Sequence, residues 1–223
     1  TAGAASSSLA VLAPGVVDSL GVELLAAPAV PATRIAAFHY LMGRARLESG
    51  RIEAALESFD ASIAEASTSQ AASASAYYMI DVRLRQATRP EDVTALMGSY
   101  SVARRVGDRD MRARVARWEA GSREFDGLMT AYGGRGASAA EAALRAAEVA
   151  RVDLHALAVA RGAYLSYLDV APDSRWSAKA IIGAISLSGH APDPTWVEDR
   201  GEQTDEELRR RFQSLPGDDP YRQ

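Results

Sequence analysis

Three histidines, two short carboxylate pairs and one glycine cluster are the residues with which this chain could do chemistry. A protein-bound metal needs several His, Asp or Glu ligands converging on one point. His39, His155 and His190 lie far apart, with no HExxH pattern and no carboxylate four residues away. They read as packing or surface histidines. Gly133-Gly134-Arg135-Gly136 precedes a capping signal at Ser138, and free amides at a helix start can cradle a phosphate. No strand precedes that cluster and no Gly-Lys-Ser/Thr follows it, so it is neither a P-loop nor a dinucleotide fingerprint. It reads as an interhelical loop. Asp108/Asp110 and Glu206/Glu207 fall at helix starts, where acids stabilise the positive end of the dipole. No serine occupies a nucleophile elbow or an SxxK setting. The chain has no cysteine, which excludes disulfides, thiolate metal sites and cysteine nucleophiles. The expectation is a non-enzyme with no catalytic residue, cofactor or metal.

Binding is better supplied. Arg104, Arg105, Arg109, Arg112, Arg114 and Arg117 form the densest basic feature. On a helix capped by Asp108, Arg114 and Arg117 share a face that Met111 and Trp118 do not fill. That face could take an acidic peptide or a lipid headgroup; the alternative is a solvated face paired to neighbouring acids. Most aromatic residues fall on apolar helix faces and read as core. Tyr78, Tyr167 and Trp196 lie off those stripes and are the candidates for an exposed contact surface. The candidate partner-binding set is therefore Tyr78, Arg114, Arg117, Tyr167 and Trp196.

The elements that would carry these residues are all helical. Hydrophobic residues make up 48% of the 223 but aromatics only 7%, so Ala, Leu, Val and Ile must do most of the packing. The formal charge of −4 gives no global attraction to nucleic acid. Regionally, residues 73–123 carry ten Arg against six acids, and residues 190–223 nine acids against five Arg. Lys179 is the only lysine. No window approaches the ~18–20 apolar residues of a membrane span. The first residue is Thr, followed by a Gly/Ala/Ser stretch, which reads as a trimmed start: a processed precursor, a tether or an artificial boundary.

Residues 1–30 read as a flexible lead with a short helix, residues 31–189 as the helical array, and 190–223 as a loop and a terminal helix. The clearest unit is Ala36–Glu65, two amphipathic helices (about 32–48 and 52–66) closed by Gly50. Phe38, Met42 and Ala45 share one face, Ile52, Ala55, Leu56, Phe59 and Ile63 another, with Gly43 set against Ala55 at the crossing. Ser67–Ser75 reads as a loop that lengthens a helix end, and Tyr77, Ile80 and Leu84 mark the next helix. Pro90 opens another that Gly107 closes. Asp108 caps the longest periodic run, Met111, Val115, Trp118, Ser122, Phe125, Met129 and Tyr132. Ser138–Glu141 has the form of a capping box. The breaker-free stretch to Ala171 splits near Arg151–Asp153. Pro172-Asp173-Ser174 caps a helix running to Gly189, one helical turn is expected at Pro194–Glu198, and Thr204–Glu207 is a second capping box. No period-two segment reads as a strand.

The hairpin at 36–65 resembles a tetratricopeptide repeat, with Gly43, Gly50, Ala55, Leu56 and Phe59 at the small, turn and packing positions. The repeat's closing proline is absent, with Ser67 in its place. A second partial match lies at 160–185. There Pro172-Asp173-Ser174 followed by Trp176 is similar to a turn frequent in tetratricopeptide-like proteins of bacterial envelopes. Residues 215–221 echo that turn with one residue inserted. The middle, 73–135, keeps helical pairing but leaves the 34-residue register.

This resemblance implies an all-α, right-handed solenoid of about eight to nine antiparallel helices, binding a protein or peptide partner in a groove. It implies a scaffold or accessory subunit in a periplasmic or otherwise extracytoplasmic bacterial complex. The alternatives are a cytoplasmic sensor or effector-binding repeat domain of a regulator, and, third, an enzyme of unknown class.

Overall fold

The computed structural model describes residues 30–133, 137–197 and 205–215. They form helices α1 (Ala32–Glu48), α2 (Ile52–Glu65), α3 (Gln70–Gln86), α4 (Pro90–Thr94), α5 (Tyr100–Ala103), α6 (Arg109–Tyr132) and α7 (Ala137–Val149). A π-helical segment, Ala150–Leu154, then leads to α8 (Leu157–Val170), α9 (Ser177–Ser186), α10 (Pro194–Val197) and α11 (Asp205–Ser214). No strand occurs among the described residues. The chain is all-α. The described residues divide into two compact units, 30–82 with 98–116 and 83–97 with 117–133, 137–197 and 205–215.

In the first unit α1 and α2 form the expected hairpin. Gly50 adopts φ +76°, which a side chain would strain, and its N–H bonds to the Leu47 carbonyl while that of Arg51 reaches Arg46. That pair of bonds satisfies the last carbonyls of α1 and reverses the chain. The Arg46 guanidinium donates to the Ala54 carbonyl and to Ser58 Oγ, and Ser62 Oγ to the Ala36 carbonyl 2.8 Å away, tying both ends of the hairpin. The buried face of α1 is Ala36, Met42 and Gly43; Phe38 and Ala45 are only half-buried and Ile52 is exposed. The missing Cβ of Gly43 makes room for the Phe59 ring, whose nearest carbon would lie 2.4 Å from it. Close approach selected the small face of α1 over its largest side chains.

Helix α3 begins at Gln70, earlier than the apolar pattern suggests, because Ser69 Oγ accepts the Ala72 N–H as an N-cap. Its small residues Ala72, Ser73, Ser75 and Ala76 are fully buried. Small residues carry little periodic signal, so this stretch reads as a loop in sequence. The stretch 90–107 is not one helix: α4 stops at Thr94, a 3₁₀ turn spans Met97–Ser99, and α5 adds one further turn. Asp108 caps α6 as expected, accepting the Met111 N–H at 2.8 Å.

In the second unit Asp92 caps α4 by accepting the Thr88 and Arg89 N–H groups, both at 2.9 Å. Val115 of the α6 stripe belongs to the first unit; in the second, Trp118, Ser122 and Phe125 are buried as the spacing predicts. The long stretch after residue 137 splits in two, as expected. The break is a π segment followed by His155 in the left-handed conformation (φ 56°). Helix α7 starts at Ala137, which puts Ser138 inside its first turn. After α8, Ser174 Oγ accepts the Trp176 N–H and Ser177 Oγ donates to the Ala171 carbonyl, fixing the Pro172–Trp176 turn. Helix α9 then begins at Ser177, three residues beyond the serine expected to cap it. The lead at 1–29, Gly134–Gly136, Thr204 and the tail echo from Pro216 lie outside the described residues.

Candidate functional site

The first unit carries a half-buried cluster of tyrosines and arginine. Tyr78 stacks on Phe59 (centroids 5.9 Å, 17° between planes) and meets Tyr77 edge-on at 5.2 Å and Tyr40 at 6.2 Å. The Arg44 guanidinium carbon lies 4.5 Å from the Tyr78 centroid. Arg44 donates to the Tyr78 hydroxyl at 2.8 Å, more weakly to Tyr40 at 3.4 Å, and to Glu48 at 2.8 Å. Burial pushes the Tyr78 phenol above its usual range, which the Arg44 charge only partly offsets. The ring therefore stays neutral and presents a hydroxyl, an aromatic edge and an adjacent cation. Tyr40 and Arg44 are four residues apart on α1, a spacing that puts them on one face, and this was the available sequence signal for them.

The second unit carries a different cluster. Glu148, in the last turn of α7, accepts from Tyr164 at 2.7 Å and Arg151 at 2.9 Å, and pairs with Lys179 at 3.2 Å. One carboxylate thus ties α7, the π segment, α8 and α9. Burial raises the Glu148 carboxyl, but the bonds from Arg151, Tyr164 and Lys179 outweigh it and the net shift is downward. Tyr164 is 1% exposed, and burial followed by the Glu148 bond raises its phenol strongly. Its ring packs against Gly183, where a Cβ would come within 2.5 Å of it. All three donors are already committed to one acceptor, so the cluster reads as a structural lock. A shallow cleft of about 280 Å³ in the same unit is lined by Arg83, Gln86, Ala87, Asp92, Ala95 and Leu96. Its carboxylate is spent on capping α4.

The five sequence candidates fall in unlike places. Tyr78 is half-buried at the centre of the first cluster. Arg114 is exposed and donates to the Tyr77 hydroxyl at 3.0 Å, which joins it to that cluster. Arg117 is exposed too, but it belongs to the second unit. Tyr167 is a correction: it is 1% exposed, its hydroxyl bonded to Ser174 Oγ, because α8 is enclosed on almost every side and has no solvent face for an off-stripe residue. Trp196 is half-buried, and its ring fills the space left by Gly162, where a Cβ would sit 2.1 Å from it.

Two of the clustered arginines also have structural work. Arg105 donates to the Ser67 carbonyl at 2.6 Å, and Arg112 to the carbonyls of Val106 and Gly107 at 2.9 and 2.6 Å. They brace the loop ends around α5. Among the described residues no three His, Asp or Glu converge as a metal would require, and no helix is long and apolar enough to cross a membrane. His39 is half-buried beside Phe38, and burial lowers its pKa.

No protein-family model matches the chain, and neither a curated protein nor a solved structure matches it.

Proposed function

We propose that this chain is a protein–protein interaction module, a tetratricopeptide-like helical array acting as scaffold or accessory subunit and holding a protein or peptide partner. The observation that carries this reading is the Tyr40–Arg44–Tyr78 cluster. Tyrosine and arginine dominate the energetic centres of protein interfaces because each offers a large, rigid contact area with a polar tip. Here they are preorganised by stacking on Phe59 and by the hydroxyl bonds of Arg44. A side chain already fixed in place loses less entropy on binding. The bacterial envelope setting is supported by the resemblance of the Pro172–Trp176 turn.

The test is affinity co-purification of the native full-length protein, wild type against Arg44→Ala and Tyr78→Phe. The reading expects a stable partner with the wild type. It also expects Arg44→Ala to weaken binding roughly 30-fold, the measure of a ~2 kcal/mol interfacial centre. A lone monomer throughout, or a partner held equally well by both variants, would count against it.

A further inference from the structure

In the first unit the turn between α5 and α6 is strongly basic. Residues 104–114 carry five arginines and two aspartates, a net charge of +3 in a chain whose total is −4. This turn is fastened to the one between α2 and α3. The Arg105 guanidinium donates to the Ser67 carbonyl at 2.6 Å, and the Gln70 side-chain amide donates back to the Arg105 carbonyl at 3.2 Å. Arg112 closes the same turn from α6, through the Val106 and Gly107 carbonyls. Arg109 is exposed three residues before Arg112, a spacing that puts both on one side of α6. What these bonds leave unspent is the charge. A carbonyl fixes a guanidinium in place without neutralising it, and Arg105, Arg109 and Arg112 have no ion pair among the described residues. Of the two aspartates, Asp108 is committed to the Met111 N–H as the cap of α6, and Asp110 is exposed in the first turn of that helix.

We propose that Arg105, Arg109 and Arg112 form a docking surface for an acidic segment of a partner protein, held through its carboxylate side chains. A planar guanidinium matches a carboxylate with paired, charge-assisted N–H bonds. Arg105 and Arg112 engage one terminal nitrogen each, Nη2 and Nη1, so their other N–H groups remain for a ligand. Both side chains are already fixed by the turn, and a fixed side chain loses less entropy on binding. An extended polyanion fits this surface less well. The chain's total charge of −4 repels one at long range. Residues 104–112 hold no aromatic ring on which a base could stack. Their apolar side chains, Val106 and Met111, are buried and half-buried, so none is free to insert into a lipid surface. The surface uses no residue of the Tyr40–Arg44–Tyr78 cluster and stands or falls separately from it.

Fluorescence anisotropy of a labelled oligoglutamate peptide, titrated with the full-length protein, tests this. The wild type should bind the peptide saturably at low salt and release it as salt rises towards physiological strength. Arg109→Gln removes a charge but no hydrogen bond among the described residues. It should keep the wild-type melting temperature and weaken binding about threefold. Replacing Arg105, Arg109 and Arg112 together by Gln should weaken it about thirtyfold. Arg51→Gln makes the same charge change at the far end of α2, roughly 20 Å away at a rise of about 1.5 Å per residue, and should bind as the wild type does. Absence of saturable binding by the wild type would overturn the proposal, as would an Arg109→Gln variant that binds equally tightly. Equal weakening by Arg51→Gln would also overturn it, by reducing the effect to overall charge. Tighter binding of oligodeoxythymidylate or of phosphatidylserine vesicles than of the peptide would assign the surface to phosphates instead.

Discussion

Alanine at Gly183 sets close packing against helix propensity, and the two act in opposite directions. Glycine inside a helix costs up to about 1 kcal/mol relative to alanine, so propensity alone favours the substitution. The methyl, however, would lie 2.5, 2.6 and 2.8 Å from three carbons of the Tyr164 ring. Carbon contacts settle near 3.5–4.0 Å, so the ring must retreat by roughly 1 Å. It has nowhere to go: Tyr164 is 1% exposed, and its hydroxyl is held by Glu148 at 2.7 Å. Overpacking of this kind costs about 1–3 kcal/mol. A stretched bond to a charged acceptor adds to that, and the expected net loss is about 1–3 kcal/mol after the propensity gain. Gly127 is the control in the same unit, exposed within α6 with no atom near its missing Cβ. Gly127→Ala should stabilise by up to about 1 kcal/mol. Urea denaturation followed by circular dichroism measures both. In a Tyr164→Ala background, Gly183→Ala should lose its penalty, since the two residues interact directly. A Gly183→Ala variant as stable as the wild type would refute the packing argument.

Acid should loosen the second unit through Glu148. A carboxyl whose folded pKa is depressed contributes stability that is complete above its unfolded value of 4.5 and is lost as pH falls through the lower folded value. Glu148→Gln should therefore flatten the acid limb of a stability-versus-pH curve below pH 4.5; an unchanged limb would assign that sensitivity elsewhere. Tyr164→Phe keeps the ring on Gly183 and removes only the hydroxyl, and thermal denaturation should show a loss of about 1 kcal/mol, with Arg151 and Lys179 still serving the carboxylate. His155 holds a left-handed backbone that costs a residue with a Cβ about 1–2 kcal/mol. His155→Gly should raise the melting temperature by a degree or two, the net of that relief and the entropy of glycine.

How far the sequence could be read depended on whether a residue's signal was local. Gly50, Asp108 and the α6 stripe are legible because a turn glycine, a cap and a spacing of three and four each act within one helical segment. Helix α3 was hidden at its start because alanine and serine bury well without looking hydrophobic. Tyr167 lies off the apolar stripe and is buried all the same, because face assignment assumes a helix with a wet side and α8 has almost none. The tyrosine cluster shows the same limit from the binding side. Tyr78 stands out in sequence only as a residue off its stripe. What makes it a candidate contact is Arg44, thirty-four residues earlier, and the Phe59 ring beneath it. The Tyr40–Arg44 spacing on α1 is the one local signal, and the meeting of that pair with Phe59 and Tyr78 across three helices follows from tertiary packing. The same holds for the Glu148 lock, whose one visible hint was Lys179, the only lysine in the chain. Both clusters are built on glycines or small residues at a helix crossing, Gly43 under Phe59 and Gly183 under Tyr164. The small residues thus set where the large aromatic ones come to rest, and with them where the polar chemistry of each unit is placed.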